Sequence, residues 1–196
     1  MPVRMLLVVL LVVFAFALLI SVAASAQSTE GYKEHRFGVG IGLYKPVDDN
    51  LRGGTYYSPI GVSKTWLDIR LQYTISRDVD GRPKTFAALD WIAPSGNFID
   101  TRMMPITINR TFRPFQEKMQ SFYLRGGVGI YDLRVAAGTR KASAMKFGYV
   151  IGGGVEFRPA SRLELTYNWA PKWKDAIYGA GYSFSGFSLT YSGDAF

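Results

Sequence analysis

The segment from Trp66 to Ser76 alternates apolar and polar side chains without a break, and this period of two constrains the fold more than any other feature. Leu67 and Ile69 begin the apolar side of the segment, which continues to Ile75. An alternation of this length is the signature of a β-strand with one apolar and one polar face. Because the pattern recurs along the chain, the sequence predicts an all-β protein.

Eight segments carry this two-residue period: 37–44, 66–76, 85–93, 101–112, 122–135, 144–157, 162–169 and 179–191. No helical period of comparable length competes with them. The connections after the odd-numbered segments include the longest one, 45–65, so we expect them to form the outer loops of a barrel. Ile60 and Val62 are out of phase with the second segment, which predicts a fold-back or a bulge. Pro105 predicts a bulge or a strand end near the membrane boundary.

The N-terminus has the features of a secretory signal. Arg4 precedes an almost continuous apolar run, and Ala24-Ser25-Ala26 gives the small-x-small pattern that signal peptidases cut. We expect residues 1–26 to be a cleaved signal peptide and residues 27–196 to form one barrel domain; the alternative is a retained membrane anchor. No later apolar run approaches the roughly 20 residues of a spanning helix, so a membrane-inserted form must be a closed barrel.

The amino-acid composition limits how the chain can be stabilised and which kinds of partner it can bind. The chain has no cysteine, so packing and strand closure rather than disulfides must stabilise it. The net charge of +8 favours solubility and also predicts affinity for anionic surfaces such as lipopolysaccharide phosphates. Four basic residues fall in predicted outer loops: Arg140 and Lys141 in the loop 136–143, and Lys172 and Lys174 in the loop 171–177. No nucleic-acid recognition motif is present, and an exported chain rarely meets nucleic acid.

Alternation alone leaves two directions for the apolar face, inward as in a lipocalin-like barrel or outward as in a membrane barrel. The polar faces carry both charge signs, which favours a lumen filled by ion pairs. The candidate lumen ion network comprises Asp68, Arg70, Lys146, Glu156, Arg162 and Glu164. Aromatic residues near strand ends suit an interfacial girdle at headgroup level: Phe37, Phe122, Phe157, Trp169 and Tyr191.

Four glycine-rich segments, 37–44, 124–131, 147–157 and 186–191, resemble the small outer-membrane β-barrel family of the OmpA/OmpW type, and the stretch 104–108 is similar to its fourth-strand region. The resemblance implies an eight-stranded antiparallel up-and-down transmembrane barrel in the bacterial outer membrane, inserted by the barrel-assembly machinery. The chain also ends in Phe196, as such barrels commonly do. Residues 192–195 depart from the family by interrupting the alternation before that aromatic.

The sequence contains few residues that could form a catalytic, metal-binding or phosphate-binding site. His35 is the only histidine and precedes the first strand, so we expect no catalytic role for it. Without cysteine and with one histidine, a zinc site is not expected, and the adjacent Asp48 and Asp49 are a weak calcium signal. The repeated glycines indicate space-makers in a narrow barrel rather than phosphate cradles, since no helix follows them. We expect no enzymatic activity, no cofactor and no metal.

Three functions remain open. The first is a structural or surface-interaction role, in which the outer loops contact membrane lipids, lipopolysaccharide or protein partners of unknown identity. The second is a narrow channel or carrier for small solutes, as resemblance to the OmpW type implies. The third is a soluble exported lipocalin-like barrel with an apolar ligand cavity.

Overall fold

The computed structural model describes residues 36–52, 65–78, 81–94, 101–114, 121–137, 140–158, 161–174 and 181–194. The predicted signal peptide, His35, the out-of-phase pair Ile60 and Val62, and Phe196 lie outside the described residues.

Eight strands form one closed antiparallel barrel in which each strand pairs with its neighbours in sequence and the last closes onto the first. They are β1 (Phe37–Pro46), β2 (Trp66–Arg77), β3 (Pro83–Pro94), β4 (Arg102–Phe112), β5 (Phe122–Ala137), β6 (Arg140–Arg158), β7 (Ser161–Trp169) and β10 (Gly186–Asp194). The short helix α1 (Asp49–Arg52) follows β1, and β8 (Trp173–Lys174) pairs with β9 (Gly181–Tyr182). We call the end with the turn between β2 and β3 the turn end, and the opposite end the loop end.

The apolar faces of the strands point outward. Along β2, Arg70 is completely buried while its neighbour Leu71 is 54% exposed, and Ile69 and Ile75 share the exposed face. The prediction of an eight-stranded barrel is therefore confirmed, and the lipocalin-like alternative is wrong because its apolar face would line a cavity. A closed barrel with an apolar exterior and an ionic interior is a transmembrane β-barrel of the bacterial outer-membrane type. Among the described residues, no helix has the length and apolar character to cross a bilayer.

The strands are strongly staggered. Following paired residues once around the sheet from Pro46 leads to Arg36, ten residues earlier in the same strand. A stagger of this size requires tilted strands, and eight tilted strands leave an interior just wide enough for side chains. Glycine is required where strands approach closely, as at Gly129, whose added Cβ would meet the carbonyl oxygen of Ile106.

The polarity of the two faces inverts near the loop end. Val128 and Ile130 on β5 point outward and are exposed, but further along the strand Leu133 points inward and is buried. Asp132 and Arg134 take the outward positions there and form an ion pair at 3.5 Å. Below this level the exterior suits hydrocarbon, and above it the sheet has the apolar-in, polar-out pattern of a protein in water. The inversion therefore marks the membrane boundary at the loop end.

Two local predictions are wrong, and Pro105 fits only one of its two predicted alternatives. Residues predicted as the loop 136–143 belong largely to a long hairpin, in which Ala137 pairs with Arg140. The last barrel strand begins at Gly186 rather than near residue 179, because residues 181–182 pair with β8 instead. Pro105 causes no bulge: the β4–β5 register runs through it unchanged, and the β3–β4 ladder only omits the pairs beside it. Pro105 does lie near the loop end of its strand, where the lack of a proline N–H disrupts the ladder of hydrogen bonds least.

Candidate functional site

The centre of the lumen is an ionic layer built around two carboxylates. Arg70 donates from Nε to Oδ1 of Asp90 at 2.6 Å and from Nη1 to Oε2 of Glu164. Arg125 donates from Nη1 to the same Glu164 oxygen at 2.6 Å, and the Tyr123 hydroxyl donates to Oε1 at 2.7 Å. All five side chains are buried. Because each comes from a different strand or a different level of one strand, the layer ties opposite walls of the barrel together.

Aromatic and amide groups complete this layer. The Arg125 guanidinium lies 4.9 Å from the centroid of the Phe86 ring, and that of Arg162 lies 5.9 Å from it. Arg125 also donates from Nε to Oδ1 of Asn109 at 3.0 Å. Cations held over an aromatic face and paired with carboxylates are compensated for their loss of water.

Asp194, the last residue of β10, secures the closure of the barrel. Its Oδ1 accepts hydrogen bonds from Nη2 of Arg162 at 2.9 Å and from Nε2 of Gln72 at 3.1 Å. Its other oxygen, Oδ2, lies 3.8 Å from Nη2 of Arg77. These contacts link the final strand to β7 on one side and to β2 across β1. Asp194 points inward in phase with Ser192, so the polar residues 192–194 continue the strand alternation rather than interrupt it.

A second group of ion pairs closes the turn end. Glu156 lies 3.2 Å from Nη2 of Arg113 and 3.6 Å from Nε of Arg82. Arg113 also pairs with Asp78 at 2.9 Å, and the Asp78 carboxylate accepts the N–H of Arg82 at 2.8 Å. The turn can fold this tightly because Gly81 has a φ of 75°, a value that favours glycine. Asp78 and Arg82, which flank this turn, are thus held across the mouth of the barrel.

The loop end of the lumen is filled by apolar side chains instead of charges. The apolar lid comprises Tyr44, Leu51, Trp66, Ile92, Met103, Tyr131, Leu133, Val135, Ala170, Tyr182 and Phe184, with Trp173 packed against it. The Trp66 ring centroid lies 6.1 Å from that of Tyr44 and 6.0 Å from that of Phe184. The Tyr44 hydroxyl donates to the backbone carbonyl of Phe184, which ties the segment before β10 to the inside of β1.

The six predicted lumen residues do not form a single network. Arg70 and Glu164 are directly paired, whereas Arg162 pairs with Asp194. Asp68 accepts hydrogen bonds from the hydroxyls of Ser188 and Thr190. Its other oxygen, Oδ1, has no partner within the described part of the chain.

Glu156 belongs to the turn end and sits opposite Arg162 in the β6–β7 register. Lys146 is half-buried opposite Tyr131, level with the lid, and no described residue forms an ion pair with it. The predicted network is therefore divided over three levels of the barrel.

The predicted basic residues all lie towards the loop end. Lys141 and Lys172 are exposed, and Lys174 is exposed within β8. The backbone of Arg140 begins β6, and its side chain lies outside the described part. Among the described residues, no three His, Cys, Asp or Glu side chains are arranged to hold a metal ion. Asp48 instead accepts the N–H of Ser183 at 2.7 Å.

The predicted lumen network did not include four residues that lie at its centre: Asp90, Tyr123, Arg125 and Asp194. Asp90 and Arg125 point inward on β3 and β5. On the outward face of these strands, alanine or glycine interrupts the series of large apolar residues. The sequence does place a charged residue at an inward position of β3 and of β5. That these residues meet in the lumen is clear only once the strand register is known.

The exterior is an apolar belt with aromatic residues at both ends. At the turn end, Phe37 packs against Tyr73 with ring centroids 5.0 Å apart, and Phe157 is 63% exposed. At the loop end, Tyr149 stacks on Trp169 at 5.0 Å. Phe37, Phe157 and Trp169 thus lie where the predicted interfacial girdle requires them.

No protein-family model matches the chain, and no curated protein matches it. Solved structures with a similar chain course include the N-terminal β-barrel domain of Pseudomonas aeruginosa OprF, at 9% identity and a TM-score of 0.41, covering 81% of this chain and 97% of that one. The Yersinia pestis outer membrane protein Ail in a phospholipid bilayer nanodisc is similar at 11% identity and a TM-score of 0.43, covering 81% and 97%. Ail in complex with the heparin analogue sucrose octasulfate is similar at 13% and 0.40, covering 81% and 96%. The barrel assignment stands on the closed strand register and the apolar exterior of this chain.

Proposed function

We propose that this protein is a non-conducting, non-enzymatic outer-membrane barrel that acts through its loop end, by contacts with lipopolysaccharide, surfaces or protein partners. In this proposal the turn end faces the periplasm. The barrel serves as a rigid, filled support that holds the loop end above the membrane.

The observation that carries the proposal is the filling of the lumen at three successive levels. The apolar lid, the ionic layer around Glu164 and the ion pairs of Glu156 each place buried side chains across the interior. An ion crossing the barrel would have to separate Arg70 from both Asp90 and Glu164. Leaving such charges unpaired in a buried setting costs several kcal/mol, about 3–5 for one broken pair, so spontaneous opening is rare.

The charge of the loop end supports an anionic partner there. Lys141, Lys172 and Lys174 are exposed at this end, and the Arg134 side chain is 48% exposed beyond the boundary where polarity inverts. Clustered cations at a membrane surface attract anionic headgroups, and the attraction weakens as salt rises. Lipopolysaccharide phosphates have the charge and the location that this surface requires.

One observation favours the channel as a second candidate. Several buried lumen atoms have no hydrogen-bond partner among the described residues, including Nη2 of Arg70, Nη2 of Arg125, Oγ1 of Thr166 and Nδ2 of Asn168. Buried polar atoms of this kind are usually hydrogen-bonded to ordered water. A connected thread of such waters would make the ionic layer wet, although the apolar lid lies above it.

Conductance in planar bilayers decides between the two candidates. The refolded chain 27–196, without the expected signal peptide, is delivered to the bilayer from lipid vesicles, and its folding is verified by heat-modifiable migration of protein recovered from those vesicles. We expect no stable open steps from the wild type. Stable steps of uniform size would support the channel and overturn the filled support.

A further inference from the structure

Arg110 is a cation on the outer, apolar face of the barrel. It lies on β4 between Ile108 and Phe112, which share its face and are 61% and 64% exposed. Arg110 is itself exposed, and no hydrogen bond or ion pair joins it to another residue in the described ranges. An unpaired arginine facing hydrocarbon is unfavourable unless its head reaches water or an anion.

The position of Arg110 puts an anion within reach. It is two residues from Phe112, the last residue of β4 at the turn end, a distance of roughly 7 Å along the strand. The long arginine side chain spans such a distance while its methylene groups stay in the apolar belt. The Arg110 side chain is therefore long enough for its guanidinium to reach the headgroup level at the turn end.

The surface beside Arg110 is recessed. In the register, Arg110 pairs with Thr85 on β3 and with Gly126 on β5. Gly126 is exposed, and a Cβ added to it would meet no atom within 4 Å. The belt thus lacks one side chain next to Arg110, and Leu124 and Phe112 border the gap.

We propose that Arg110 and the recess at Gly126 bind the phosphate of a glycerophospholipid in the periplasmic leaflet. The planar guanidinium matches a phosphate with two parallel N–H donors, which a lysine ammonium does not offer. No acidic side chain lies on the exterior at this level of β3, β4 or β5. The choice of leaflet rests on the orientation given under the proposed function.

Native mass spectrometry of the folded chain 27–196, without the expected signal peptide, in a phosphate-free detergent tests this site. Phosphatidylglycerol is titrated in, with diacylglycerol of the same acyl chains as the phosphate-free comparison. We expect the wild type to retain one phosphatidylglycerol and no diacylglycerol. Arg110→Ala is expected to weaken retention about tenfold, as the loss of one charge-assisted contact predicts, and Arg110→Lys to weaken it less.

A second variant tests the recess while keeping the charge. Gly126→Leu fills the open space outside the barrel, so we expect it to fold normally and still lose phosphatidylglycerol. Lys45→Ala, which removes an exposed cation at the loop end of β1, is the charge control and is expected to retain the lipid. Heat-modifiable migration verifies the folding of each variant.

Wild-type retention in both Arg110→Ala and Gly126→Leu would overturn the site. An equal loss in Lys45→Ala would show that overall charge, not this recess, holds the lipid. Stronger retention of lipid A than of phosphatidylglycerol would overturn the assignment to the periplasmic leaflet. None of these results alters the conductance test, because Arg110 lies outside the lumen.

Discussion

Arg70 on β2 and Glu164 on β7 are 94 residues apart in the sequence and form a buried ion pair across the lumen. Glu164 also accepts from Arg125, so one carboxylate joins three strands. This pairing connects walls of the barrel that share no backbone ladder. The buried ion pairs therefore stabilise the fold as well as block the lumen.

Removing the Glu164 charge is expected to destabilise the barrel. Glu164→Gln leaves Arg125 without its only described ion-pair partner and weakens the hold on Arg70, so the free energy of unfolding is expected to fall by about 3–5 kcal/mol. Urea unfolding in phospholipid vesicles, followed by tryptophan fluorescence, measures the change. The control is Thr166→Val on the same strand, whose hydroxyl has no described partner and whose loss is expected to cost little. Equal losses would contradict a special role for Glu164.

Depth in the bilayer is expected to set the cost of a charge on the outer face. Ile69 and Ile75 lie on the same face of β2, the first well inside the strand and the second near its turn end. Ile69→Arg is expected to cost about 2–4 kcal/mol and Ile75→Arg about 0–1 kcal/mol. The same urea titration measures both. Equal costs would contradict a lipid-facing belt.

Two glycines on β5 are expected to respond in opposite ways to the same substitution. A Cβ at Gly129 would meet the carbonyl oxygen of Ile106, whereas one at Gly126 would meet nothing within 4 Å. We expect Gly129→Ala to lower stability by about 1–3 kcal/mol through overpacking, and Gly126→Ala to be near neutral. Comparable effects in thermal melts monitored by gel migration would show that the strands do not approach as closely as described.

Binding to lipopolysaccharide is expected to depend on the basic residues of the loop end. Lys172→Glu with Lys174→Glu is expected to weaken binding to lipopolysaccharide-containing vesicles, by about 1 kcal/mol or more for each lysine, with a shallower dependence on salt. Vesicle co-sedimentation over a range of salt measures this. Lys84→Glu, an exposed lysine at the turn end, is the control. Unchanged binding in the double variant would remove the loop-end lysines from the proposed function.

Strand positions were predictable because the bilayer imposes a strict two-residue period. β2 and β7 carry it without exception, and both were located to within one residue at each end. The start of the last strand was not, because residues 181–182 extend the same pattern while pairing elsewhere. Periodicity reports an extended backbone, and only the register identifies its partner.

The ionic nature of the lumen was predictable from the sequence, but the partners in its ion pairs were not. Charged residues on the inward phase of β2 and β7 indicated ion pairs, but the partner of Arg162 proved to be Asp194 rather than a residue of the predicted set. Ion pairs across a barrel depend on stagger, which no single strand reveals. The apolar lid was missed because Leu133 and Val135 are out of phase with Val128 and Ile130. That change of phase marks where β5 leaves the membrane.

The lipid-facing direction of the apolar strand faces is the central claim, and site-directed spin labelling measures it most directly. The chain has no cysteine, so Leu71→Cys, Ile108→Cys and Lys172→Cys each give one label in the reconstituted barrel. We predict that labels at 71 and 108 are relaxed strongly by oxygen and weakly by a water-soluble nickel complex, and that the label at 172 shows the reverse. Equal access of the nickel complex to all three positions would contradict the membrane-spanning barrel.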